Sequence, residues 1–418
     1  MALVVHKYGG TSVGSIERIM NVARRTLEAR KRGDDVVLVV SAMSGETNRL
    51  LELVHKISPR PNEREQDVVI ATGEQVTVGL LAVAIESLGG KAISFLGHQV
   101  RIETDDTFSK ARILSIDASA IHKALKNGQI AVVAGFQGVD KHGNLTTLGR
   151  GGSDTTAVAL SAAIKADACD IYTDVDGVYT TDPNVCPDAR KLNKISYEEM
   201  LELASLGAKV LQLRSVEIAM KYKVPLWVKT SFSDAPGTLV TEEDKSMEDI
   251  IVSGIALDSN DSQISILKVP DVPGTAAKIF GALDERAISV DVIVQSAPVN
   301  GVTDVTFTVG TADLLKATDV VTAVAKSLKA GGVVSDTEIS KVSIVGVGMR
   351  NHSGVAARMF KTLSRENINI LAISTSEIRV SCLVKKAQGK KAVQALHAEF
   401  GLAHVPKKLK AVKSGKKN

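Results

Sequence analysis

Short apolar runs alternate with longer stretches of helical periodicity along the first 230 or so residues. Leu3–Tyr8 reads as a strand, followed by Gly9-Gly10-Thr11-Ser12 and a helix from about Ser15, with Ile16, Ile19, Val22 and Leu27 at near-helical spacing. Val36–Ser41 is an apolar run of the kind buried on both faces of a sheet, and Asn48–Ile57 predicts a helix. A longer helical stretch covers about Glu63 to Leu88; Lys91–Phe95 and Ile130–Phe136 read as strands with a helix at about Ala118–Asn127 between them. Thr147–Thr156 forms a glycine-rich turn into a helix opened by Ser153, and the alanine-rich run Thr155–Ala166 predicts burial. Cys169–Thr173 is a further strand. Ser196 and Glu199 have capping-box spacing, Gly207 interrupts the helix they open, and Lys209 begins the next helical run, which Pro225 ends. Leu226–Thr230 closes the series as its last strand. Repeated strand–helix units of this kind predict an α/β domain, three layers with a mostly parallel sheet, over residues 1–232.

The texture then changes. Ser233-Asp234-Ala235-Pro236-Gly237 and the charged run Glu242–Lys245 mark a linker, 233–250. Beyond it the chain repeats itself. Ile264-Ser265-Ile266-Leu267 matches Val342-Ser343-Ile344-Val345 at an offset of 78 residues, and Gly274, Ala276, Ala277 and Phe280 match Gly354, Ala356, Ala357 and Phe360 at an offset of 80. Each copy predicts a small α+β βαββαβ module, ferredoxin-like, over 251–338 and 339–405, with strand exchange between the two as an option.

Composition narrows the classes. Across 418 residues, 44% hydrophobic and 23% charged content are those of a soluble globular protein. The N-terminus lacks a signal pattern and no segment approaches membrane-spanning length, so a cytoplasmic protein without a membrane partner is expected. Cys169, Cys186 and Cys382 are odd in number and far apart, as reduced thiols are. The formal charge is +4, but the tail 406–418 carries six lysines, and subtracting them leaves the remainder near −2. With aromatics at 3%, nucleic-acid binding is not expected.

The candidate chemistry is anionic. Three glycines in the four positions 149–152 let a ligand approach the backbone, the following helix offers free N–H groups, and Arg150 adds a planar fork for a carboxylate or phosphate. On the pattern alone an ordinary glycine loop fits Thr147–Thr156 equally well. Lys7, at a strand end before a second glycine turn, is the candidate phosphate cation; a solvated lysine is its bland alternative. Neither a Walker A loop nor a complete Gly-x-Gly-x-x-Gly is present.

Taken together, Lys7-Tyr8-Gly9-Gly10-Thr11-Ser12, Thr72-Gly73-Glu74, Leu148-Gly149-Arg150-Gly151-Gly152-Ser153-Asp154, Thr173-Asp174-Val175-Asp176-Gly177-Val178-Tyr179 and Ser374-Thr375-Ser376-Glu377 resemble, in order and spacing, the bacterial monofunctional aspartate kinases of the amino acid kinase family, which carry tandem ACT modules. The resemblance runs from Lys7 to about Val384. It implies transfer of the ATP γ-phosphoryl group to the β-carboxylate of L-aspartate, with Mg²⁺ accompanying ATP. It places Lys7, Gly9, Gly10, Ser41, Thr173, Asp174, Tyr179, Asp182 and Lys209 around the nucleotide, and Ser41, Thr47, Glu74, Arg150, Gly151, Gly152 and Ser153 around aspartate, with Lys7, Arg150 and Asp154 as the catalytic set. It implies lysine or threonine as inhibitors, bound by Asp271, Gly274, Ala276, Asp291 and Gln295 in the first module and by Asn367, Asn369, Ile373, Ser374, Thr375 and Glu377 in the second. A homodimer or larger assembly through the ACT modules follows from it, and a shorter regulatory chain from an internal start near Met247 is an option. Ser353 departs from the proline often found before the second-copy glycine, so the second effector loop is expected to differ in shape. Two alternatives stay open: a related kinase acting on glutamate, acetylglutamate or carbamate, and a catalytically silent amino-acid sensor.

Overall fold

The computed structural model describes residues 2–207, 210–244, 247 and 250–404. Lys209 and the basic tail lie outside them. The chain divides into two compact units, one comprising 1–178 and 191–244, the other 179–190 and 245–418.

The first unit is built on an eight-stranded sheet. Its strands are β1 (Leu3–Tyr8), β2 (Asp35–Val40), β3 (Ala92–Phe95), β6 (Ile130–Ala134), β9 (Ala168–Thr173), β10 (Lys194–Ser196), β11 (Leu226–Thr230) and β12 (Thr238–Thr241), in the order β10-β12-β11-β9-β1-β2-β6-β3. The strands from β11 to β3 run parallel, as the apolar runs predict, and β12 turns back antiparallel on β11. Val36–Val40 are all completely buried, each worth about 1.5–3 kcal/mol of burial. The helices flanking the sheet include α1 (Ile16–Lys31), whose Ser15 caps it by accepting the Arg18 N–H, then α2 (Glu46–Ile57), α3 (Glu63–Ile70), α4 (Thr72–Ser87), α5 (Ser119–Lys126), α6 (Gly152–Ile164), α7 (Tyr197–Ser205) and α8 (Leu213–Tyr222). The Ser196–Glu199 capping box opens α7 as predicted.

Four expectations are corrected. Leu226–Thr230 is not the last strand: Ser233–Gly237, read as a linker, is a hairpin turn, and β12 follows it. A Cβ on Gly237 would lie 2.0 Å from the Val228 carbonyl, so the turn closes only because that residue has none. The run after Gly207 becomes helical at Leu213, capped by Gln212. Helix α6 starts at Gly152 with Gly151 as its left-handed N-cap, and Ser153 lies inside the helix. Finally, α3 and α4 form a helical run Glu63–Ser87 of 25 residues, long and apolar enough by composition to span a membrane. Its apolarity is that of a core helix, since Val78, Leu81 and Ile85 pack with α1 and β2 residues, and its buried face also carries Asp67 and Glu74. A second, four-stranded sheet, β4 (Ile102–Thr104), β5 (Ile113–Ile116), β7 (Gln137–Val139) and β8 (Leu145–Thr147), went unpredicted; such short strands carry too little alternation to read.

In the second unit the repeat becomes two four-stranded sheets. The first holds β14 (Asp261–Pro270), β15 (Val290–Gln295), β16 (Val302–Gly310) and β17 (Gly332–Asp336) in the order β15-β16-β14-β17, with helices Thr275–Asp284 and Leu314–Ser327. The second holds β18 (Ile339–Val345), β19 (Ala372–Thr375) and β20 (Arg379–Lys385), with helices Val355–Arg365 and Gly389–Glu399. Its fourth strand is β13 (Gly254–Asp258), which pairs with β18 although it precedes the whole first module in the chain. Gly274 and Gly354 cap the repeated helices with φ of 91° and 88°, but ahead of Ser353 the second loop carries a 3₁₀ turn, Val347–Asn351, where the first copy runs as strand to Pro270. All three cysteines are free and buried, and Cys186 packs into the core of the second module.

Candidate active site

Strands β9, β1 and β2 are parallel neighbours, and the chain leaves β1 toward β2 on one side but returns to β9 on the other. A crevice beyond the carboxyl ends of such strands is where α/β sheets bind ligands. Here it is a cleft of about 410 Å³, lined among others by Gly9, Gly10, Ser41, Thr47, Thr173 and Asp174. Tyr8 stacks on Tyr172 with ring centroids 4.6 Å apart, and the Gly9 N–H donates to the Tyr172 carbonyl at 3.1 Å, so the first glycine turn is held from below. A Cβ on Gly10 would stand 2.9 Å from the Ala42 carbonyl; the two turns touch backbone to backbone.

Lys7, 8% exposed, is the penultimate residue of β1, with its ammonium 2.6 Å from Asp154 Oδ1 in the first turn of α6. The glycine-rich turn and the strand tip are thereby joined by a buried ion pair. Lys7 Nζ also stands 3.4 Å from where a Gly9 Cβ would be, so the cation borders the cleft's glycine edge.

Glu74, 3% exposed, sits behind the Ser41–Ala42 segment. Its Oε1 accepts the Ala42 N–H at 2.9 Å, while Oε2 is buried with no hydrogen-bond partner. Burial pushes its carboxyl up to about 7, against the smaller opposing effect of that backbone hydrogen bond. An orphaned carboxylate oxygen suits a ligand cation.

The remaining predicted residues divide. Arg150 and Gly151 are exposed on the turn and Gly152 and Ser153 are buried; the cleft lining includes none of these four. Ser153 fills the space that a side chain on Gly135 would need, 2.7 Å away. Tyr179 and Asp182 fall in the segment grouped with the second unit, where Asp182 Oδ1 accepts the Asn184 N–H at 2.8 Å. Lys209 lies outside the described residues. Sequence reading missed Ser44, Gly45 and Asn48, which also line the cleft; the available signal was Gly45, left-handed at φ 83° as N-cap of α2, repeating the strand–glycine–helix pattern after β2.

Of the effector candidates, Asp291 and Gln295 lie on β15 and Ile373, Ser374 and Thr375 on β19, two edge strands in contact. The Asp291 carboxylate is ion-paired with buried Lys341, which also holds Asp261 at 2.8 Å. Asp271 and Gly274 precede the helix that contains Ala276, Asn367 is left-handed at φ 57° after helix Val355–Arg365, with Asn369 two residues on, and Glu377 pairs with Arg350 at 3.5 Å.

Comparison with known proteins agrees with this architecture. Residues 2–230 match the amino acid kinase family, and 262–326 and 342–400 match ACT domains. An aspartate kinase of Pseudomonas putida is 57% identical over 403 residues, covering 96% of this chain and 98% of the relative. E. coli aspartokinase III in complex with aspartate and ADP superimposes with a TM-score of 0.79 at 27% identity, over 95% of this chain and 99% of that one. The same enzyme in complex with lysine and aspartate gives 0.74 at 27% identity over the same shares. The chain is an enzyme of the amino acid kinase family, belonging to its aspartate kinases with tandem ACT domains.

Proposed function

We propose that this kinase moves the γ-phosphoryl group of ATP to the β-carboxylate of L-aspartate, giving 4-phospho-L-aspartate and ADP. The observation that carries the reading is the buried Lys7–Asp154 pair, a fixed cation at the junction of two glycine turns. A β-carboxylate oxygen attacks the γ-phosphorus, the bond from phosphorus to the β,γ-bridging oxygen breaks, and ADP leaves with that electron pair. No proton moves, because a free aspartate carboxylate, with a pKa of about 3.9, is already ionised. The obstacle is repulsion between two anions, so the site supplies charge and orientation in place of a base.

In this scheme Lys7 balances the transferring phosphoryl group and Asp154 holds Lys7 in place. Gly9, Gly10, Thr173 and Asp174 receive the nucleotide, a role that the family resemblance alone extends to Tyr179, Asp182 and Lys209. Ser41 and Thr47 line the aspartate end, with Gly151, Gly152 and Ser153 beside it; Glu74 takes the ammonium through its unpartnered oxygen, and Arg150 clamps the α-carboxylate. Mg²⁺ would be held by the phosphates and water with Asp154 as the adjoining carboxylate, and neutralises phosphate charge; no cluster of three metal-ligating side chains exists among the described residues. Lysine or threonine inhibits through the ACT modules, in a homodimer or larger assembly. The enzyme works in the cytoplasm, at the first step toward lysine, threonine and methionine.

Incubation with ATP, Mg²⁺ and hydroxylamine tests the assignment: a hydroxamate should form with L-aspartate and not with L-glutamate. Product with glutamate alone would reverse it.

A further inference from the structure

Asp67 is a buried carboxylate that the proposed reaction does not use. It is fully buried on α3, seven residues before Glu74 on the same helical run, a rise of about 10 Å. Its four hydrogen bonds go to only two residues. Oδ2 accepts the backbone N–H groups of Ser109 at 2.9 Å and Thr147 at 2.8 Å, and Oδ1 accepts their hydroxyls at 3.1 and 2.7 Å.

Both recipients border the glycine-rich turn. Thr147 is the last residue of β8, two positions before Gly149. Ser109 is held left-handed at φ 64°, and its carbonyl lies 3.1 Å from where a Cβ on Gly149 would stand. The turn itself is conformationally permissive, with Gly149 and Gly151 at φ 78° and 71°, and Arg150 projects from it exposed. Its fixed geometry therefore has to come from its base.

We infer that Asp67 is a positioning residue for the amino-acid substrate, locking the base of the turn that carries Arg150 to the helical run that carries Glu74. This rests on the roles proposed above for those two residues. The ammonium and α-carboxylate of an amino acid are attached to one carbon, so the groups receiving them must keep a fixed separation to within about 0.5 Å. A carboxylate saturated by four donors is a rigid cross-link between the two elements.

Three variants test it. Asp67→Ala strands four donors, the two of Thr147 fully buried and the two of Ser109 partly so, whereas Asp67→Asn can keep the pattern, its amide oxygen facing the two N–H groups and its NH₂ donating to the two hydroxyls. Thr147→Val removes one hydroxyl while keeping shape, and folds even where Asp67→Ala does not. Asp67→Ala should raise the aspartate KM about tenfold or more with ATP KM within about twofold, and Asp67→Asn should return it most of the way. Thr147→Val should raise aspartate KM roughly fivefold, the worth of one hydrogen bond, and should speed amide exchange across Gly149–Ser153 without affecting β2. Unchanged exchange and KM in Thr147→Val, or equal rises in both KM values, would overturn the inference. Arg150→Lys separates the two claims: a raised aspartate KM there beside an unaffected Thr147→Val overturns the Asp67 cross-link and leaves the role of Arg150 standing.

Discussion

Three of the buried carboxylates in the catalytic unit, Asp67, Glu74 and Asp154, have three different surroundings, and these sort their roles. Asp67 is saturated by donors, Asp154 faces an ammonium, and Glu74 has one backbone N–H and one bare oxygen. Desolvation raises Glu74 from 4.5 to about 7, so its carboxyl is partly neutral near physiological pH. Since the folded-state value lies above the unfolded one, its burial favours the neutral form: this contribution to stability is complete below pH about 4.5 and declines as pH rises through about 7, by about 3 kcal/mol in all. Substrate binding follows the opposite sense, because only the ionised carboxylate pairs with an ammonium. Aspartate KM should therefore fall as pH rises from 6 to 8, while Glu74→Gln should show a higher and flat KM over that range. A wild-type KM that is level or rises with pH would separate Glu74 from the ammonium.

At the scale of elements, the site is made by turns meeting across the ends of β1, β2 and β9. Gly10 is constrained by space, with the Ala42 carbonyl 2.9 Å from its missing Cβ. Gly10→Ala should push the two turns apart and lower kcat/KM for ATP by about tenfold or more, with the fold retained by circular dichroism; wild-type kinetics would show that the contact is not needed. These turns were legible in sequence because glycine pairs at strand ends are rare and local. Lys7 and Asp154 could be placed near each other only through the family resemblance, since their pairing is set by which strands lie adjacent, information that no local pattern contains. The β11–β12 hairpin was read as a linker for a related reason: Ser-Asp-Ala-Pro-Gly signals a turn without saying whether the chain leaves the sheet or rejoins it. The Asp67 links lie 42 and 80 residues away in sequence and had no local signal at all.

At the scale of the molecule, the repeat was readable because both copies keep the same apolar positions, yet β13 completes the second module from before the first, which periodicity does not reveal. Edge strands β15 and β19, in contact, gather Gln295 and Thr375 from both modules. Gln295→Ala or Thr375→Ala should shift the lysine or threonine inhibition curve to higher concentration with the uninhibited rate unchanged; unaltered curves would move the effector site elsewhere. The whole account turns on a carboxylate oxygen of aspartate becoming the bridge to phosphorus. Phosphorus NMR of a turnover with L-aspartate carrying ¹⁸O in its β-carboxylate measures this directly. The acyl phosphate resonance should show the isotope shift of a bridging ¹⁸O while ADP shows none; an unshifted product, or ADP released with no acyl phosphate, would contradict it.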